Sequence, residues 1–301
     1  MAEMPSNLLP NARTGDPLAA TRPDGLRRVR VLRPPSFSPA GLMYSLTDLW
    51  QYRDLLYTLS IHRIKVRYKQ SVLGVAWAIV QPLMLMVIYT LIFSVIAKVP
   101  TGGTPYAVFA FAGLLPWLCF STSLTNATNS LVSNSELVTK VYFPREILPL
   151  TYVLSSLFDL LVASTMLVGL MLYYRMPLSI NLIYVIPIVG ILLLFAATAS
   201  LIFSATQVRF RDIGVAIPLL AQVWMFATPV VYPLSAVPER FRGFYILNPM
   251  VGVIENFRRV VLQGMSPDFR LLAISALISL ALFPVAYIYF KRVEATVADV
   301  I

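Results

Sequence analysis

Five stretches of this chain run for 20 residues or more without a charged side chain, and no other feature limits its fold as strongly. The first, residues 70–97 between Lys69 and Lys98, covers 28 residues. The others lie between Lys98 and Glu136, Arg175 and Arg209, Asp212 and Glu239, and Arg270 and Lys291. About 20 apolar residues as helix cross the hydrocarbon core of a bilayer, so each run can span one. A sixth run, Leu148 to Tyr174, carries a single acid, Asp159. The runs predict helices over about 72–96, 106–131, 148–174, 180–206, 214–232 and 270–290. A closed β-barrel would need strands of about ten residues alternating polar with apolar, and these runs are continuously apolar. Only 13% of the residues are charged, against about a quarter in a soluble domain. The expected fold class is an all-α integral membrane protein with six transmembrane helices.

Basic residues set the expected orientation, because Lys and Arg beside a span favour the cytoplasmic side. Eleven precede the first span, from Arg13 to Lys69, and one, Lys98, follows it. Both termini are therefore expected in the cytoplasm. The stretch from Pro233 to Phe269 is external by this count although it holds Arg240, Arg242, Arg258 and Arg259. The net charge of +10 gathers next to the membrane, where anionic lipid accounts for it without nucleic acid. One cysteine, Cys119, and one histidine, His62, leave no disulfide framework and no His-pair metal motif.

Residues 1–45 are rich in Pro, Arg and small polar residues and contain no apolar run of signal-peptide length, which predicts a disordered cytoplasmic tail. Over 46–70 a helical period sets Gln51, Asp54, Thr58, His62 and Lys65 against Leu49, Tyr52, Leu56 and Leu59, the pattern of an amphipathic interface helix. Arg63 and Arg67 rotate onto its apolar side and must snorkel or mark a bend. Residues 71–301 form the six-helix domain. Within it, the loop 133–147 has room for a short helix before Pro144. The external segment 233–269 contains Asn248-Pro249, an N-cap with proline at the first helical position, followed by the apolar stripe Met250, Val253, Ile254, Phe257 and Val261 up to Gly264. That segment reads as a helix in or dipping into the outer leaflet.

No catalytic constellation and no metal site stands out. None of the five lysines precedes Ser or Thr, so the phosphate-binding loop of Walker type is missing. The run from Arg63 through Tyr68, Gly74 and Trp77 to Pro82 and Phe93 resembles the start of the permease subunits of ABC exporters for O-antigen, capsule and teichoic-acid polymers. Val138-Thr139-Lys140-Val141 with Phe143-Pro144-Arg145-Glu146 resembles that family's cytoplasmic loop. Arg211-Asp212-Ile213-Gly214, Thr228-Pro229-Val230, Tyr232 and Leu247-Asn248-Pro249 resemble its fifth span and external hairpin.

The resemblance implies a transport permease rather than an enzyme. It implies a pore subunit in the bacterial inner membrane, paired as a homodimer and joined by two separate ATPase subunits that hold the ATP and Mg. The permease itself would bind no cofactor. It further implies a coupling helix in 133–147, short external gate helices in 233–269, and a lipid-linked polysaccharide such as O-antigen as cargo. Teichoic acid, capsule or a small drug or lipid is the alternative. A proton-coupled transporter or a glycosyltransferase fits less well, since intramembrane charges and clustered acids are sparse.

On this reading Glu136, Lys140 and Arg145 dock the ATPase. Trp77, Tyr89, Phe93, Trp224, Phe226 and Tyr232 are candidates to line the pore, since rings with a polar edge suit sugar faces. Each is also an ordinary packing or interface residue. Arg258 and Arg259, turned toward headgroup level, are candidates to hold the diphosphate of a lipid carrier. Asp159, with no basic partner in the six spans, reads first as a neutral, hydrogen-bonded structural residue, with cargo binding and then a proton relay as the alternatives.

Overall fold

The structure, a computed structural model, describes residues 49–69 and 71–300. The tail at 1–45 and the first residues of the interface helix lie outside them. The described residues are helical, with no strand among them.

Helix α1 (Arg53–Lys69) leads through a 3-10 turn at Gly74–Ala76 into α2 (Trp77–Tyr89), which continues as a wider π-turn over Thr90–Ile96. Then follow α3 (Tyr106–Thr128), the short α4 (Ser135–Lys140), α5 (Ile147–Tyr173) and α6 (Val185–Arg209) with its 3-10 lead at Ile180–Tyr184. Next come α7 (Ile213–Phe226), α8 (Glu239–Ile246), α9 (Pro249–Leu262) and α10 (Phe269–Val300).

Among the described residues five helices are long and apolar enough to cross a membrane: Gly74–Ile96, Tyr106–Thr128, Ile147–Tyr173, Ile180–Arg209 and Phe269–Ala295. The predicted fifth span, 214–232, is cut short. α7 ends at Phe226 after 14 residues, about 21 Å of helix against a hydrocarbon core of about 30 Å. The cause is Pro229, which has no N–H to donate and drives Thr228 out of the helical region.

α3 is the centre of the bundle, with 17 of its 23 residues buried, and it packs against α2, α5, α6, α7 and α9. The span beginning at Gly74 buries only Pro82 and Met86 and is peripheral. α9, read from the sequence as a helix in or dipping into the outer leaflet, is enclosed by α3, α6 and α10, and 12 of its 14 residues are buried. Its N-cap matches the sequence: the Asn248 side chain accepts from the Met250 N–H at 3.1 Å. Gly264 closes the segment with φ +63°, a left-handed backbone suited to glycine.

Gly252 is what lets α9 approach α10, because a Cβ there would collide with the Ser275 hydroxyl and the Leu271 carbonyl. Gly252→Val should therefore lower the apparent melting temperature of the detergent-solubilised protein, at about 1–3 kcal/mol for overpacking. Gly190→Val, where a Cβ meets open space, should leave it unchanged or higher.

Candidate functional site

Three regions gather the chemistry. At the end of the bundle that carries α1 and α4, one apolar cluster joins Leu131, Val138, Phe143 and Ile147 to Tyr287 and Phe290 of α10. Leu49 and Tyr52 just ahead of α1, and Leu56 and Leu59 within it, pack on it, so the apolar face read from the sequence covers protein. Glu146 lies under this cluster at 0% exposure. Tyr287 donates to its Oε1 at 2.9 Å and the Lys291 ammonium pairs with its Oε2 at 2.7 Å. Lys291 also pairs with Glu294 at 2.8 Å. Burial, and then the neighbouring Glu294 carboxylate, push the Glu146 carboxyl above the usual carboxylate range, while Lys291 opposes them.

The three expected docking residues separate here. Glu136 and Lys140 form an exposed i,i+4 pair at 3.4 Å on α4. Arg145 turns inward: its N–H donates to the Glu294 carboxylate at 3.0 Å and its guanidinium to the Glu294 carbonyl at 2.7 Å. It ties the loop to α10 through the Glu294 backbone and carboxylate while remaining half-exposed.

The second region is the junction of α1 with α5. Arg63 neither snorkels nor marks a bend. It donates to Thr151 at 2.8 Å and to the Tyr152 hydroxyl at 2.6 Å, and it lies over the Tyr152 ring. Burial lowers its affinity for the proton. Four residues on, Arg67 forms an ion pair with Asp159, and the Tyr68 hydroxyl donates to the same carboxylate at 2.6 Å. The Tyr68 phenol is pushed up to about 12, first by burial and then by that carboxylate, so it stays a donor. Asp159 thus has a basic partner, supplied by the interface helix and not by a span, and it is a paired residue rather than an isolated neutral one. Beside this pair a cavity of about 310 Å³ opens between α1, α2, α3 and α5.

The third region is the irregular chain after α7. Residues 227–232 leave carbonyls that no helix satisfies, and Arg258 of α9 collects them. Its guanidinium donates to the Pro229 carbonyl at 2.8 Å, to that of Phe109 at 3.2 Å, and to those of Val230 and Tyr232. It also rests 3.8 Å above the Phe109 ring. Tyr106 donates to the Val231 carbonyl at 2.6 Å, and the Asn248 amide to the Thr228 hydroxyl at 2.9 Å. Gly113 makes room, since a Cβ there would run into the guanidinium and the Val230 carbonyl. Arg258 is therefore 3% exposed and does not reach headgroup level, contrary to the expectation for it. Only Arg259 lies nearer the surface, donating to the Ser266 carbonyl at 2.7 Å, and Glu255 does not pair with it.

The six aromatic candidates do not form one lining. Trp77 borders the cavity near α1. Tyr89 and Phe93 join Tyr106 and Phe109 at the opposite end of α3. Trp224 packs edge-on against Trp117, Phe120 and Phe195 inside the bundle. Tyr232 donates to the Phe226 carbonyl at 2.7 Å, and the Phe226 ring is exposed.

Sequence reading passed over Glu146, Lys291 and the α1–α5 pairings. The available signal was two arginines four residues apart on an apolar face, together with one acid inside a span. The partner assignment needed coordinates.

These features define a multi-pass helical membrane protein with a polar loop anchored to its last helix. The chain belongs to the ABC-2 type transporter family, which matches residues 54–262. It is 32% identical over 250 residues to the O-antigen export system permease protein RfbA of Myxococcus xanthus, covering 82% of this chain and 95% of that one. A Klebsiella pneumoniae protein of the same description is 29% identical over 249 residues, with the same coverage. The polysialic acid transport protein KpsM of Escherichia coli is 25% identical over 214 residues, 68% of this chain and 80% of that one.

Arg258→Met should leave several buried carbonyls without donors and destabilise the protein by about 3 kcal/mol or more. Its effect should appear as a lower apparent melting temperature and new proteolytic cleavage between residues 227 and 248. Arg258→Lys, with a point charge in place of a fork, should recover part of the loss.

Proposed function

We propose that this chain is the pore-forming subunit of an ATP-driven exporter that moves a lipid-linked polysaccharide of O-antigen type across the bacterial inner membrane. The observation that carries the reading is the family match, spanning the motifs at both ends of the bundle, together with relatives described as polysaccharide export and transport permeases. With α7 and its irregular continuation counted as a sixth crossing, both termini are cytoplasmic and α4 faces the cytoplasm. This placement agrees with the basic residues ahead of the first span.

Two copies pair with two ATPase subunits, which hold the ATP and Mg. Support for a second copy comes from the family's architecture as the sequence motifs imply it, and the large apolar side chains along α2 (Met84, Val87, Ile88) and α7 (Leu219, Leu220, Val223) face lipid or that copy. α4 presents Glu136 and Lys140 to the ATPase. Its movement reaches α5 and α10 through Arg145, Glu146, Lys291 and Glu294, a contiguous polar network able to hold two arrangements. Arg259 is the one of the external arginine pair with room to meet a carrier's phosphate, because the donors of Arg258 are already committed.

Deletion of the gene should abolish the surface polysaccharide while its lipid-linked precursor accumulates inside the cell. Unchanged surface glycan would overturn the reading. The purified chain alone should hydrolyse no ATP. In the assembled complex, replacing Glu136 and Lys140 together with Ala should lower export by about ten-fold, the scale of losing one good charged contact of roughly 1.4 kcal/mol. Membrane insertion, read by quantitative immunoblot of membrane fractions, should not change.

A further inference from the structure

The cavity between α1, α2, α3 and α5 belongs neither to the coupling loop nor to the external segment. It lies toward the α1 and α4 end of the bundle. Asp159 stands 12 residues into α5, about 18 Å along its axis, and all but Leu115 of the α3 residues in the wall come from the second half of that helix. The walls mix two chemistries. Trp77, Pro82, Leu115, Leu118 and Leu160 give carbon and ring faces. Gln81, Thr122, Asn126 and Asp159 set amides, a hydroxyl and a carboxylate among them. Trp77 is 46% exposed and Gln81 is also at the surface, so the cavity is reached from outside the chain.

Charge narrows the class of ligand. Arg67 and Asp159 are paired to each other, and the wall has no other charged side chain. A phosphate would have to pull Arg67 away from Asp159 and then sit against that carboxylate. A neutral molecule meets no such conflict. Carbon and ring faces set among amides and a hydroxyl match a sugar ring, which has C–H faces and a rim of hydroxyls. Aromatic rings against such faces and amides on the rim supply orientation as well as contact.

We propose that this cavity binds a neutral sugar ring of the glycan, ahead of the passage between two copies of the chain. The proposal rests on the export reading above and adds a place where sugar, not carrier, is recognised. The Arg67–Asp159 pair, supported by Tyr68, fixes the α1 wall of the cavity.

The test uses the complete exporter in lipid nanodiscs, carrying Cys119→Ser and Thr122→Cys. Labelling of residue 122 by a small methanethiosulfonate reagent is read by mass spectrometry of its peptide. Two probes are compared: oligosaccharide released from the strain's own surface polymer, and polyprenyl phosphate bearing no sugar. The oligosaccharide should slow labelling in a concentration-dependent way, and the bare carrier should not. Adding Trp77→Ala should raise the protecting concentration roughly ten-fold, the scale of one lost aromatic contact. Gln81→Ala serves the same purpose if the tryptophan variant does not assemble. Equal protection by the bare carrier, no protection by the glycan, or a residue 122 that never labels would each overturn the proposal. Lost surface polymer in the deletion strain, combined with no glycan protection, would remove this site and leave the export reading standing.

Discussion

A peptide group carried into hydrocarbon must find its hydrogen-bond partner inside the protein, because each one left unpaired costs several kcal/mol. Four long spans and α10 meet this by being helices throughout. The chain after Phe226 cannot, because Thr228-Pro229 ends α7 while the backbone is still within reach of the bundle. The carbonyls released there are gathered by one guanidinium, that of Arg258, assisted by Tyr106. Much of this end of the bundle follows from it. α9 must be buried for Arg258 to reach those carbonyls, Gly113 and Gly252 must lack side chains for α9 to be buried, and α3 must lie at the centre to offer the Phe109 ring and carbonyl.

At the opposite end the constraint is charge. A carboxylate and an ammonium taken from water cost more than their attraction returns unless the geometry is close and the remaining positions are bonded. Glu146 and Lys291 meet that condition with Tyr287 and Glu294, which joins the N-cap of α5 to the last turns of α10. Arg63 and Arg67 meet it through Thr151, Tyr152 and Asp159. α5 is thus held by ionic contacts on two sides, one leading to the loop that carries α4 and the other to the cavity wall. A shift of α4 has a physical route toward both.

The relation between sequence and structure is clearest where one arginine is set against another. Arg258 and Arg259 are neighbours in an apolar helix, and periodicity alone placed both at the surface. Which of the two turns inward depended on carbonyls 26 to 29 residues earlier in the chain and on one from α3, 149 residues away. Trp224 is similar. Its type and position suited a pore wall, and three rings from α3 and α6 meet one side of its half-buried indole edge-on.

What the sequence determined by itself was the material of the fold. Charge-free runs of sufficient length make membrane helices, because no other open structure satisfies its backbone there. Proline, asparagine and glycine marked where helices start and stop, since their effects act within a few residues. The motifs around Lys140 and Pro229 pointed to the family. What only the tertiary structure decided was pairing: Asp159 with Arg67, Glu146 with Lys291, Arg258 with the broken strand of carbonyls, and the enclosure of a cavity by four helices. Such contacts join residues about 30 to 150 positions apart, and their existence depends on which faces of the helices meet, a choice made by packing that no local pattern records.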